Sequence, residues 1–296
     1  MCIRDRLDDP TTLAAGIRAW GENIRALWET GLAADGPFLN PHYHKLGYML
    51  AMAGIAMDGE FDEAAEWISL ITDWLSGTQE GYAWPYYAGQ VDGGMAEGIY
   101  YGLHGGRYRL ELFRALKENG YYDPWALPYM EGLGDNYLYM QPPNLPLFSG
   151  HGDGALSNHT NQAKWYRLEA AALSQVYNDA GLRWWFEQRL VQGTNIYTSS
   201  YGALSYDGLP APPYHHALWL SLLPNRTLTG VAPTARGNVK RFATTGLISA
   251  NTGLGNLTEN MTLVMRAAPY PHGAASHARR AQGLSLIHSS APTCTT

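Results

Sequence analysis

Cysteine is almost missing from this chain: of 296 residues only Cys2 and Cys294 carry a thiol, both at the extreme ends. The body between them can hold neither a disulfide framework nor a cysteine-ligated zinc. Charge is scarce too, at 16% of residues, and its balance is acidic, with a net charge of -6. A general nucleic-acid binder draws its affinity from a basic face that neutralises phosphates, so that class of partner is excluded; an anionic ligand remains compatible with a local concentration of positive groups. No apolar run approaches the roughly 18 residues of a membrane span. The start, MCIRDRLDDP, lacks the apolar stretch of a signal peptide. What the chain has in quantity is glycine, tyrosine and tryptophan, 33, 20 and 10 residues. Tyrosine and tryptophan offer flat apolar faces with a polar edge, which suit cores and sugar-binding clefts alike.

Helical spacing dominates most of the length. Over 11–32 the apolar residues Leu13, Ile17, Trp20, Ile24, Leu27 and Trp28 recur every three or four positions, behind Pro10 and a threonine pair that can start a helix. HYHKLGYMLAMAGIAM, almost wholly apolar, predicts a buried helix that stops at Asp58-Gly59. EFDEAAEWISLITDWL predicts an amphipathic helix with acids in its first turn and Phe61, Ala64, Ala65, Ile68, Ile71, Trp74 and Leu75 on one side. RYRLELFRALKEN predicts another, ending near Gly120. The Pro-rich passage PYMEGLGDNYLYMQPPNLPLFSGHGDGALSNHT predicts short helical turns and a long loop, and a loop of that length is more often functional than idle. Helices resume in NQAKWYRLEAAALSQVYND, GLRWWFEQRLVQ and YHHALWLSLL.

From Val239 the texture changes. VKRFATTGLISANTG and NLTENMTLVMRAAPYP are rich in β-branched residues, partly alternating, and read as two strands of a new β domain. About thirty residues then remain, too few to complete a sandwich. The expected fold class is mainly α: a helical domain over 7–232, then the start of a truncated β domain over 238–284. The tips, 1–6 and 285–296, resemble translated adapter sequence and are expected to be non-native.

Inside the helical part, residues 91–107 read VDGGMAEGIYYGLHGGR. Each glycine within a helix costs roughly 1 kcal/mol relative to alanine. A run this rich in glycine therefore marks backbone brought close to something else, either a neighbouring helix or a ligand. It carries Asp92, Glu97, Tyr100, Tyr101, His104 and Arg107. Two more clusters hold polar chemistry. Asn40-Pro41-His42-Tyr43-His44-Lys45 opens the buried helix, and Ser149-Gly150-His151-Gly152-Asp153-Gly154 lies in the long loop. Residues two apart on a helix point about 200° apart, so at most one of His42 and His44 faces a given cleft. A helix start beside Lys45 suits hydrogen bonding to an anionic group. Metal-ligand spacing of the HExxH type is not present. Asp153 reads equally as a cap on turn amides. Ser276-His277 follows the second strand.

Taken in order, these pieces resemble the heparinase II/III-like superfamily of polysaccharide lyases, in which a toroid of helix pairs precedes a large β-sandwich. The likeness spans roughly 11–282. DGGMAEGIYYG is similar to the acid-Gly-x-x-Tyr segment that supplies the family's catalytic tyrosine, which implies Tyr101, with Tyr100 as runner-up. NPHYHKLGYMLAMAG is similar to the helix that presents an Asn or His to the substrate carboxylate. That implies His44, 57 residues before Tyr101, ahead of His42, 59 before it. MRAAPYPHGAASHA is similar to the sandwich strand and turn that supply a catalytic histidine, here His277. The chain departs from the family turn His-x-His-x-Asp, reading His277-Ala278-Arg279-Arg280-Ala281. No cofactor is expected within the chain, and a structural zinc would belong to the full-length sandwich. The resemblance further implies an incomplete (α/α) toroid, an anionic uronate polysaccharide or oligosaccharide as partner, and periplasmic or secreted placement.

The chemistry so implied is β-elimination. A uronic acid is cleaved by removing the proton at C5 and expelling the oxygen at C4, and charge builds beside a carboxylate that is already negative. A donor aimed at that carboxylate is typically worth about 3 kcal/mol. The resemblance gives this role to His44, with Asn40, His42 or Lys45 assisting. Tyr101 would protonate the leaving oxygen, and His277 or Tyr101 itself would take the C5 proton. A tyrosine serves as base only if its pKa falls from about 10, which a cation such as Arg107 could bring about. Asp92 and Glu97 are read as orienting these groups, and Tyr100, His151 and Asp153 as further substrate-binding candidates. Two other classes stay open. A glycoside hydrolase would pair Asp92 or Glu97 with Asp153. A non-catalytic fragment would bind sugar through Trp and Tyr faces.

Overall fold

The computed structural model describes residues 10–35, 41–77, 91–95, 106–140, 163–191, 205–206, 209–210, 227–267 and 283–288. Among the described residues there are seven α-helices: α1 (Pro10–Asp35), α2 (Pro41–Ala56), α3 (Asp62–Ser76), α4 (Gly106–Glu118), α5 (Pro128–Met140), α6 (Ala163–Val176) and α7 (Ala180–Val191). A two-residue ladder, β1 (Ser205–Tyr206) with β2 (Leu209–Pro210), precedes an antiparallel sheet in the order β3 (Val239–Phe242), β4 (Leu247–Asn251), β5 (Met261–Arg266) and β6 (Gly283–His288). The chain is thus mostly helical, with a small antiparallel sheet after the helices. No described helix is long and apolar enough to cross a membrane. Two compact units are present: Met1–Gly89 with Tyr108–Pro124, and Gln90–Arg107 with Trp125–Thr296.

In the first unit α2 packs against both α1 and α3. The amphipathic period of α1 brings Trp28 into the core, where it meets Trp74 of α3 edge-on at 6.0 Å. Gly21 of α1 leaves the space that the Trp67 indole fills, since a Cβ there would overlap the ring. The indole N–H of Trp67 then donates to Glu22 at 2.8 Å. α3 begins with Asp62 and Glu63, acids that suit the positive end of its dipole, and ends on Gly77 at φ 81°, whose N–H returns to the Asp73 carbonyl at 3.0 Å. Two details differ from expectation. Trp67 faces the core and Ala65 does not, because the buried stripe runs Ala64, Trp67, Ile68, Ile71. α2, expected to be buried throughout, exposes Met49 (39%) and Met52 (36%) and buries one face only.

The second unit contains the largest surprise. The Pro-rich passage holds a full 13-residue helix, α5, with nine buried residues, where short turns and loop were expected. Its glycines serve packing: Gly132 meets the backbone of Asp92 and Gly134 the side chain of Leu182. α5 packs with α6 and α7 and also against β3, β4 and β5. Asp179 caps α7 by accepting the Leu182 N–H at 3.0 Å. The first predicted strand proves to be two: residues 243–246, Ala-Thr-Thr-Gly, form the turn between β3 and β4, closed at Gly246 with φ 65°. The sheet's inner face is polar for a buried surface, with Ser249, Asn251, Thr262 and Arg266 beside Phe242, Leu247 and Val264. β6 extends into 285–296, the tail expected to be non-native.

Candidate functional site

The glycine-rich run enters the second unit at one end of the sheet. Asp92 Oδ1 accepts the Gly94 N–H at 3.2 Å and the Thr244 hydroxyl, and its Oδ2 accepts the Thr244 N–H at 3.0 Å. Residues 91–95 are thereby tied to the β3–β4 turn. Gly93, at φ 77°, lies against Gly132 of α5 so closely that a Cβ on either would overlap the other segment's backbone. One turn further along α5, the buried Asn136 donates to the Gly93 carbonyl at 3.3 Å. The close approach expected of this run is therefore, at Gly93 and Gly94, an approach to a helix and a strand turn. Asp92 is a structural tie: three donors converge on its two oxygens.

The same end of the sheet holds other features. Phe242 pairs with Leu247, Leu247 with Arg266, and Arg266 with Gly283, so both ends of the segment 268–282 leave the sheet here. The Ala267 N–H closes the edge on the Gly246 carbonyl at 2.8 Å. Arg266 is only 8% exposed, and its Nη1 has no hydrogen-bond partner among the described residues. Burial pulls its guanidinium below the usual arginine value, with no acid among the described residues opposing the shift. Sequence reasoning passed over Arg266. The signal was there, because the alternation that marks β5 gives Arg266 the same inward parity as Thr262 and Val264.

A second charged group ties α5 and α7 to the approach to β3. Arg236 bridges Asp135 at 2.9 Å and Asp179 at 2.6 Å, and Lys240 pairs with Asp135. Burial pulls the Arg236 guanidinium down, but the Asp179 hydrogen bond and the charges of Asp179 and Asp135 outweigh it and hold it above its ordinary value. A cleft of about 500 Å³ beside this bridge is lined in part by Glu131, Tyr177 and Pro233. Another, of about 610 Å³, runs along α7 and the β4–β5 loop past Trp184, Gln188, Asn238 and Asn256.

Three described tyrosines have shifted pKa values, and all three are raised: Tyr121 by its hydrogen bond to Asp58, Tyr122 by burial, and Tyr139 by burial and the Asp135 charge despite Arg236 and Lys240. A raised phenol keeps its proton near neutrality.

Of the residues expected at a site, His44 is the best defined. It is 2% exposed, with its ring 5.1 Å from Trp74 and 6.3 Å from Tyr48. This is a core environment in the first unit. Lys45 beside it is partly exposed. His42 and Arg107 lie in α2 and α4, with their side chains outside the described residues. Asn40, Glu97, Tyr100, Tyr101, His151, Asp153 and His277 lie outside the described residues altogether. Among the described residues no group of three or more His, Cys, Asp or Glu side chains is placed to hold a metal ion. No protein-family model matches the chain, and no curated protein matches it.

Proposed function

We propose that this chain is the helical domain and opening strands of a polysaccharide lyase that cleaves a uronic-acid-containing polymer by β-elimination, its helices forming part of an (α/α) toroid and its sheet one layer of a sandwich. The observation that carries the reading is a convergence of chain ends. The run that goes on to Glu97, Tyr100 and Tyr101 is tied at Asp92 to Thr244, and the segment containing His277 leaves and rejoins the sheet at that same end. A phenol and an imidazole drawn from these two segments are the acid and base that elimination requires. The outward face of β5 supports the sandwich: Leu263 and Met265 are 37% and 40% exposed, apolar surface that a second sheet would cover.

In this reading Tyr101 protonates the departing oxygen at C4 and His277 removes the C5 proton, while donors hold the carboxylate as charge builds. His44, buried against Trp74, acts from within the core of the first unit by supporting its helix. The hydrolase alternative is weakened by the use of Asp92 as a structural tie. The test is the product. Uronate oligosaccharides incubated with the chain should yield a species absorbing near the ultraviolet edge, with fragment masses that show no uptake of water. Tyr101→Phe should lower its formation at least about 100-fold while the folded state persists. Saturated ends carrying an added water would replace the lyase with a hydrolase, and full turnover by the Phe variant would remove Tyr101 from the mechanism.

A further inference from the structure

We propose that Arg266 is an anion-binding residue, positioned at the end of the sheet to receive a carboxylate of the ligand. The argument starts from its burial. A guanidinium carries five N–H donors and a permanent charge. Taking such a group out of water without a partner costs several kcal/mol, and proteins pair buried charges for that reason. Arg266 is 8% exposed on the inner face of β5, and among the described residues its Nη1 is unpartnered and no acid opposes the effect of burial on it. Its neighbours in register offer no charge: Leu247 on β4 is apolar, and Gly283 on β6 brings no side chain.

The acids bonded to the described residues of the sheet are already engaged. Asp92, the acid at this end of the sheet, is occupied by Thr244 and Gly94. Asp135 is occupied by Arg236 and Lys240. Where the unit needs an ion pair for its own architecture it has built one. Arg266 stands outside those pairs, as a charge held ready for a group that arrives from elsewhere. The planar fork of arginine matches the two oxygens of a carboxylate or sulfate, which it engages by parallel hydrogen bonds. That the anion is a sugar acid rests on the lyase reading; that an anion binds here does not.

The stored cost gives the experiment two signs. On the 296-residue chain, melting temperature is measured in chloride, then with sodium glucuronate, sodium sulfate or neutral glucose at matched ionic strength. In chloride Arg266→Met should melt no lower than wild type, because it removes an unpaired buried charge. Glucuronate should raise the wild-type melting temperature and leave Arg266→Met unmoved, with Arg266→Lys between them. Calorimetry with a uronate oligosaccharide should show affinity lower by roughly 10- to 100-fold in Arg266→Met, the worth of a charged hydrogen bond. A response to sulfate with none to glucuronate keeps the site and assigns it to sulfated ligands. The proposal is overturned if Arg266→Met melts below wild type in chloride, or if both proteins respond alike to each anion. Product formation is read separately, so binding at Arg266 without elimination would sink the lyase reading alone.

Discussion

In the unit built on α1, α2 and α3 the largest buried side chains are Trp28, Trp67 and Trp74, with Tyr48 among them, and its ion pairs, such as Arg25 with Glu29 at 2.9 Å, lie towards the surface. In the unit that carries the sheet, buried positions include Ser249, Asn251, Asn260, Thr262 and Arg266, linked in part by hydrogen bonds such as Thr262 to Asn251 at 2.6 Å. Apolar contact is roughly proportional to area and indifferent to direction. Hydrogen bonds fix both distance and angle, and a buried donor left unmade is costly. The core of the first unit is led by bulk, with Arg109 and His44 as its buried polar members, whereas the second adds to an apolar helical core a sheet face fixed by hydrogen-bond geometry. A site that must hold groups in place is better built on the second kind of framework.

This contrast can be broken or sharpened. The largest effect should come from the first unit. Trp74→Ala removes the ring that meets Trp28 at 6.0 Å and His44 at 5.1 Å, and should cost about 3 to 5 kcal/mol, seen as lost amide protection in α1 to α3. A cost near zero would mean the aromatic cluster contributes little. Next comes Gly132→Ala in the second unit. Its methyl group would overlap the backbone of Asp92, so about 1 to 3 kcal/mol should be lost, with faster exchange of the Gly94 N–H. Unchanged exchange there would show that the run is held without α5.

The smallest effect belongs to a polar contact at the surface of the first unit. Tyr121 donates to Asp58, and its phenol is raised chiefly by that bond. A raised folded pKa contributes stability that is complete below the ordinary phenol value of about 10 and is lost as pH rises through the folded value. Denaturant midpoints of wild type and Tyr121→Phe should thus differ by under about 0.5 kcal/mol near neutrality and converge above pH about 10. A gap that widens with pH would reverse the assigned sign.

The parts of the fold that were legible beforehand are those where one face of one element decides. α1 and α3 announce themselves through apolar spacing, and β5 through alternation. α5 was hidden inside a passage read as a whole from its prolines, and the use of its Gly132, to admit the backbone of Asp92, depends on a partner forty residues away in sequence. The turn at 243–246 was hidden by Thr244 and Thr245, β-branched residues that prolong a strand-like pattern while one of them serves as the anchor for Asp92. At the candidate site, the chain gave away the importance of the glycine-rich run but not its attachment. Asp92 was read as an orienting group, and the structure shows what it holds: Thr244 and Gly94. Arg266 looked like the end of a strand and is its most exceptional residue.

The carbonyl of Tyr139, in the last turn of α5, is received by two side chains of β4, Ser249 at 2.6 Å and Asn251 at 3.2 Å. Because successive residues of a strand point to opposite sides, sliding β4 by one position would turn both donors outward and strand that carbonyl without water or partner. The helix end works as a gauge, checking that the strand has been laid down in phase. Every inward side chain further along the sheet inherits its direction from that check, Arg266 included.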